Sequence, residues 1–310
     1  MAQTEPVLGI RSAAYHLPPR SFDIGEWAQR HGLARDRVEA LRVNGVGRYH
    51  DSCDRPTREM ALDAAAAAFG KAELDAAEVD VLMFAHTAVE SVVPPPASLT
   101  SFLQSRLGMS KARCFSVAQQ NCVSPIVAVR LAETMMRADA SVRHVLVVAS
   151  DQIRSGIDHL RVIELGGMHS DGACAMVLTR DWERNRVLAT TNSTEARYYL
   201  GSLEAMEFIE GYYLSTAATL RRAVHDAGLE MSDIGAILPH HVGLTAWQKV
   251  MRFLRLPPER LHTDGFASKG HVFGCDAIID FSEWKGGEDR PLVLYSNGLC
   301  GCYGAMVVAP

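Results

Sequence analysis

"AFGKAELDAAEVDVLM", residues 68–83, is answered at one constant offset by "AVHDAGLEMSDIGAIL", residues 223–238. Ala72 answers Ala227, Leu74 answers Leu229, and Asp75 answers Glu230. Glu78 and Val79 pair in the same way with Asp233 and Ile234. Each copy ends a helical pattern and opens a short apolar run of buried-strand type. Further along, "HVLVVASD" resembles "RPLVLYSN", and "ACAMVL" resembles "GAMVV". The offset shrinks between these later pairs, which predicts an extra loop around 152–170 in the first half. Two similar halves meeting at a pseudo-twofold axis explain the pattern. The division expected is residues 1–180 for one half and 181–310 for the other. Alternating helix and strand patterns elsewhere give an α/β class, with a sheet core covered by helices.

"SVAQQNCVSP", Ser116–Pro125, sets Cys122 where an apolar helix begins. Unpaired N–H groups at a helix start carry partial positive charge, which lowers a thiol's pKa and stabilises anions. Carried through the repeat, Cys122 falls beside Cys275–Asp276, and both segments precede an apolar helix. The two helix starts then face each other across the axis. His240 and His241, in "AILPHHVG", follow an apolar strand and a proline. His271, in "SKGHVFGCDA", follows Gly270. These imidazoles of the second half converge on the sulfur of the first. "YSNGLCGCYGA" offers backbone N–H groups to an oxyanion, with Cys122 and the Gly298 region as the expected pair.

The chain has 310 residues, 48% of them hydrophobic, which is enough for two core units. A net charge of −5 argues against a general nucleic-acid binder. No run approaches the roughly 20 apolar residues a membrane span needs. No secretory leader is legible at the start. Seven scattered cysteines without a C-x-x-C pair suggest neither a zinc site nor a disulfide framework. Reduced thiols in a cytoplasm are the expectation.

Taken in order, these segments resemble the thiolase-fold condensing enzymes, specifically the ketoacyl-ACP synthase III-like group. "VVPPPASLTSFLQSRLGM" is similar to that family's proline-led helix, and "FSVAQQNCVSPIVAVRLAETMM" to the segment bearing its catalytic cysteine. "ILPHHVG" resembles its Pro-His motif, so the resemblance gives His240 the role of catalytic histidine. His241 stands where the family usually has glutamine. His271 stands where the family has an asparagine, and "SNGLCGC" has fewer glycines than its usual signature.

The resemblance implies a thiolase-like fold, two pseudo-duplicated halves forming a layered α-β-α-β-α core. It implies a two-stage reaction in which an acyl thioester acylates Cys122. Decarboxylative condensation with a malonyl-type thioester follows, in fatty-acid-like or polyketide metabolism. The alternatives are acyl transfer to an alcohol or amine, and thioester hydrolysis. No bound cofactor is expected; the substrate is an acyl-CoA or acyl carrier protein thioester. Trp27 is expected near the CoA adenine. Lys249, Arg252 and Arg255 recur along one helix as a docking face for carrier or CoA phosphate, or as a solvated charged face. Arg154 and Arg161 are weaker candidates of the same kind. Ile157, Leu160 and residues 198–214 suit an acyl pocket or the core equally well. A homodimer paired through the sheet edge is expected.

Overall fold

The computed structural model describes residues 6–163, 166–201, 205–286 and 289–310. Its strands are β1 (Leu8–His16), β2 (Ser21–Asp23), β3 (Arg48–His50), β4 (Val81–Ala85) and β5 (Arg113–Val117). They continue as β6 (His144–Asp151), β7 (Val162–Ile163), β8 (Gly167–Met168), β9 (Gly172–Arg180) and β10 (Arg186–Thr194). The last three are β11 (Ala236–Leu238), β12 (Leu292–Gly298) and β13 (Cys302–Ala309). The helices are α1 (Ile24–His31), α2 (Arg35–Val43), α3 (Thr57–Ala72), α4 (Leu99–Leu107) and α5 (Ser124–Ala138). Then come α6 (Ala205–Asp226), α7 (Leu244–Leu254), α8 (Asp264–Lys269) and α9 (Asp276–Glu283).

The main sheet runs β11-β12-β13-β10-β1-β9-β6-β4-β5. It is two half-sheets joined between β1 and β10 at Gly9 and Arg186. In the first half β1–β9 and β9–β6 are antiparallel and β6–β4 is parallel. In the second half β10–β13 and β13–β12 are antiparallel and β12–β11 is parallel. The topology therefore repeats, and the three segment pairs read from sequence are α3–β4 with α6–β11, β6 with β12, and β9 with β13. The expected extra segment is also present. β6 and β9 are separated by a long excursion carrying the β7–β8 hairpin, whereas β12 and β13 are joined by a tight turn.

Strand alternation builds the layers. Val81, Met83, Val145 and Val147 face inward, toward α5 and α9. Leu82, Phe84, Leu146 and Val148 face outward, under α3 and α4. The alanines of α3, among them Ala61, Ala64, Ala65 and Ala68, let that helix lie close on the sheet. In the second half Val293, Tyr295 and Val307 pack under α6 and α7 with Trp247 and Val250. The inner helices α5 and α9 share one core between both half-sheets, which completes the α-β-α-β-α order.

The axis brings the two inner helix starts into contact. At Gly274 a Cβ would lie 2.7 Å from the Cys122 carbonyl oxygen and 2.9 Å from Pro125. Only a glycine permits this approach. Gly274→Ala is expected to cost about 1–3 kcal/mol by overpacking. A denaturant melt measures that cost, and unchanged stability would show that the two starts have room to separate.

Candidate active site

Cys122 lies in the short turn Asn121–Val123 that leads into α5. Asn121 has φ 47°, which turns the chain sharply before the helix. Ser296 Oγ, from β12, donates to the Cys122 carbonyl at 2.8 Å and ties the turn to the second half. The thiol is 5% exposed. It packs with Ile153 and Phe273, and with Ala88 and Ile157 at the edge.

His271 follows Gly270, whose φ is +66°. A Cβ at Gly270 would sit 2.7 Å from Ser170 Oγ and 3.0 Å from two backbone oxygens. The extra segment of the first half then clamps the histidine backbone. His271 N–H donates to the Met168 carbonyl at 2.8 Å, and Ser170 N–H donates to the His271 carbonyl at 2.8 Å. Thus residues of the first half fix an imidazole of the second.

The His271 Nε2 stands 3.7 Å from Cys122 Sγ. Its Nδ1–H donates to Asp276 Oδ2 at 2.5 Å. Because Asp276 accepts at Nδ1, Nε2 is the ring nitrogen that faces the thiol, and in a neutral ring it carries the lone pair. The same carboxylate accepts the Val272 N–H at 2.6 Å and the His241 N–H at 2.7 Å. Burial works against its ionisation, but the His241 and His271 rings and the backbone donors outweigh it and hold the carboxyl below its usual range.

His240 is 2% exposed, with its Nε2 3.1 Å from the Tyr212 hydroxyl. Its Nδ1 is buried without a hydrogen-bond partner among the described residues. Trp247 Nε1–H donates to the His240 carbonyl at 3.2 Å and fixes the loop. Burial, then the neighbouring His271, lowers His240 to about 3, so the ring is neutral. Thr87 completes the surroundings of the sulfur, its Oγ1 3.6 Å from Sγ. Thr87 is held by the Asp151 carboxylate, which accepts the Thr87 and Ala88 N–H groups and the Ser91 hydroxyl.

Cys122, His240 and His271 line a single pocket. Thr87, Tyr212 and His169 line it as well. His169 stacks on Phe273 with ring centroids 4.4 Å apart. Its Nδ1–H donates to the Leu160 carbonyl at 2.9 Å, and burial followed by His271 lowers it to about 3. Asn297 and Leu299, on either side of Gly298, line the same cavity.

Several sequence-based expectations come out differently. Burial pushes the Cys122 thiol well above its ordinary range, and Asp151 and Asp276 add to this. The helix proper starts after Cys122, and burial outweighs the Thr87 hydrogen bond that would lower the thiol. His271, rather than His240, is the imidazole on the sulfur. Trp27 is 4% exposed, packed with Ile24, Leu41 and Tyr49 and stacked on His31 at 4.1 Å, so neither face is free for an adenine. Arg161 is 1% exposed and bridges to Asp171 at 2.9 Å, which makes it part of the core. Lys249 and Arg252 do face solvent on α7, with the Lys249 ammonium 4.9 Å from the Tyr213 ring centroid. Of the acyl-pocket candidates, Ile157 packs beside the thiol, Tyr212 lines the cavity, and Leu160 is 48% exposed. Residues 202–204 lie outside the described residues.

Sequence reasoning did not single out Asp276, Thr87 or His169 as functional groups. For Asp276 a signal existed: a carboxylate five residues after His271, at the first position of an apolar helix. The other two sit in segments whose residue types are common in any loop or core.

Comparison with known proteins bears on the family. The sequence model of 3-oxoacyl-[acyl-carrier-protein (ACP)] synthase III matches residues 118–196, the stretch from before Cys122 to the end of β10. A beta-ketoacyl-[acyl-carrier-protein] synthase III of Sphingopyxis alaskensis is 28% identical over 229 residues, 67% of this chain and 68% of that protein. Among solved structures, ChlB3 [Aceyltransferase] superposes with a TM-score of 0.85 at 20% identity, covering 98% of each chain. The 3-oxoacyl-(acyl carrier protein) synthase III of Pseudomonas aeruginosa PAO1 superposes with a TM-score of 0.83 at 17% identity, again over 98% of each. With the duplicated five-layer architecture, these likenesses show the thiolase-like fold, and the sequence is similar to beta-ketoacyl-[acyl-carrier-protein] synthase III proteins, which are acyl-transferring enzymes.

Proposed function

We propose that the protein moves an acyl group from a thioester onto a hydroxyl or amine acceptor through an acyl-Cys122 intermediate. One observation carries this reading: Asp276 occupies His271 Nδ1, which leaves Nε2 as a proton acceptor 3.7 Å from the thiol. In the first stage the Cys122 proton passes to His271 Nε2 as the sulfur attacks the thioester carbonyl. The departing thiol takes that proton. In the second stage the acceptor gives its O–H or N–H proton to His271 while it attacks the acyl-Cys122 carbonyl. Cys122 leaves as thiolate and is reprotonated. A buried, neutral thiol suits this concerted transfer, because nothing has to stabilise a standing thiolate. The N–H groups of Cys122 and Gly298 are the proposed oxyanion donors; one such donor contributes roughly 3–4 kcal/mol. The likeness to ChlB3 [Aceyltransferase] agrees with this chemistry.

Decarboxylative condensation with a malonyl-type thioester is the second reading, and the cavity supports it too. His240 and His271 sit with ring centroids 6.1 Å apart in the cavity that Cys122 lines. In this reading the departing thiolate takes its proton from solvent, so His271 keeps the Cys122 proton and its Nε2–H is a donor for a thioester carbonyl. The acyl donor in either reading is an acyl-CoA or an acyl carrier protein. Lys249 and Arg252 are the proposed contacts for its phosphates or acidic face. A cytoplasmic homodimer pairing through the exposed edge strand β5 completes the proposal.

Intact mass after incubation with acyl-CoA or acyl carrier protein donors tests the first stage. An acyl adduct is expected, and Cys122→Ala should abolish it. Malonyl thioester and a hydroxyl or amine acceptor, each offered to the acylated enzyme, then separate the readings. Ester or amide formation without carbon dioxide release supports transfer, carbon dioxide release establishes condensation, and free acid alone points to hydrolysis. Asp276→Asn is expected to slow acylation roughly 10²–10⁴-fold, since the amide no longer fixes the Nε2 lone pair toward sulfur. A loss under tenfold in single-turnover kinetics would remove Asp276 from the mechanism.

A further inference from the structure

His241 follows His240 in the chain but does not line the cavity. Its side chain is fully buried, at 0% exposure. Nδ1 lies 2.9 Å from the Gly270 carbonyl oxygen, and Nε2 lies 2.8 Å from Asp280 Oδ2. The carbonyl oxygen only accepts hydrogen bonds, and so does an ionised carboxylate. A neutral imidazole has one N–H, so one of these two contacts would set lone pair against lone pair. The imidazolium satisfies both, and with the ring sealed from solvent, water is no substitute partner.

The ring also adjoins the carboxylate behind the proposed base. His241 Nδ1 is 3.6 Å from Asp276 Oδ1, and its backbone N–H donates to Asp276 Oδ2. We propose that His241 is a positioning residue, held as an imidazolium, whose charge keeps Asp276 ionised behind His271 and favours proton movement from Cys122 to His271. This rests on the reading of His271 and Asp276 as the base pair of the transfer.

The charged groups around the ring fit the assignment. From α9, Asp276 and Asp280 face it. From α8, the Lys269 ammonium reaches Asp280 at 3.5 Å and Glu283 at 2.5 Å. His262 Nε2 approaches Asp280 Oδ1 at 3.9 Å. Tyr15 of β1 closes the row on Glu283. His240 and His271 lie on the cavity side. Burial alone would lower His241, but Asp280 and Asp276 outweigh it and push it up to about 9. The sign follows from this arrangement. A buried positive charge opposes any further proton on the Cys122–His271 pair, so removing it lets the pair keep a proton to higher pH.

Two measurements test the assignment, and neither uses an acyl donor. In the ¹⁵N-histidine-labelled protein, His241 should show both ring nitrogens protonated at pH 7; a neutral-tautomer signature there would overturn the proposal. The second is the rate of Cys122 alkylation by iodoacetamide against pH, read by mass. In His241→Gln, where the amide still donates to one acceptor but carries no charge, the acid limb should move up by about one pH unit. An unmoved limb in a variant that still melts cooperatively would reduce His241 to a packing residue. Should that variant not fold, the resonance of the unaltered protein decides. Should Cys122 take no acyl group from any donor, the transfer reading fails separately while both measurements still report on His241.

Discussion

One buried carboxylate sets the geometry of the cavity. Asp276 opens α9 and accepts three donors: the backbone N–H of Val272, the backbone N–H of His241 and the ring N–H of His271. These belong to two separate loops, one after β11 and one after α8. Remove the carboxylate and two buried backbone N–H groups lose their partner, at a cost of roughly 1–3 kcal/mol each. The loops that carry His240 and His271 would also lose the side chain that joins them. The start of a helix is a favourable place for such an anion, since the free N–H groups there supply part of its solvation.

The duplication explains why Cys122 and the imidazoles beside it come from different halves. Two inner helices meet start to start at the axis, and the turn before each is left beside the cavity. The halves have diverged around this shared point. In the first, the turn carries Cys122, and a long excursion between β6 and β9 supplies the strand that clamps His271. In the second, the equivalent connection between β12 and β13 is short, the turn before the helix carries Gly274 and Cys275, and Asp276 opens the helix. Each half thus supports chemistry carried by the other, which makes the cavity a property of the whole chain rather than of either half.

The fold was legible wherever the pattern was periodic. Runs such as Val79–His86 and Arg143–Ser150 alternate between two buried faces, and the ordered resemblance between halves fixed which runs correspond. Cys122, His240 and His271 were legible because each stands at a helix start or strand end in a short distinctive segment. Asp276 was visible as a residue but not as a partner, because its bond to His271 depends on how 271–276 folds back. His240 and His241 look equivalent in sequence. The structure gives them opposite surroundings, the first beside neutral aromatics and the second between two carboxylates. Trp27, expected near an adenine from the family resemblance, and Arg161, a candidate from its place in the extra loop, differ for a related reason: only packing reveals that both side chains are buried in the core.

The choice between carbon and heteroatom acceptors reduces to where protons reside on the cavity imidazoles. Condensation needs N–H groups aimed at a thioester carbonyl that is becoming an enolate. Transfer to oxygen or nitrogen needs a lone pair aimed at an acidic hydrogen. His169 spends its Nδ1 proton on the Leu160 carbonyl, and His271 spends its own on Asp276. Both rings therefore present acceptors at Nε2, leaving His240 as the one lining imidazole whose tautomer no carbonyl or carboxylate fixes among the described residues. An asparagine at 271 would bring an amide donor to that position and no base. The histidine with its carboxylate brings a base, and it becomes a donor only after it has taken the thiol's proton. In the transfer reading proposed above, that difference in proton inventory, more than any change in fold, is what favours an acceptor carrying a proton to lose.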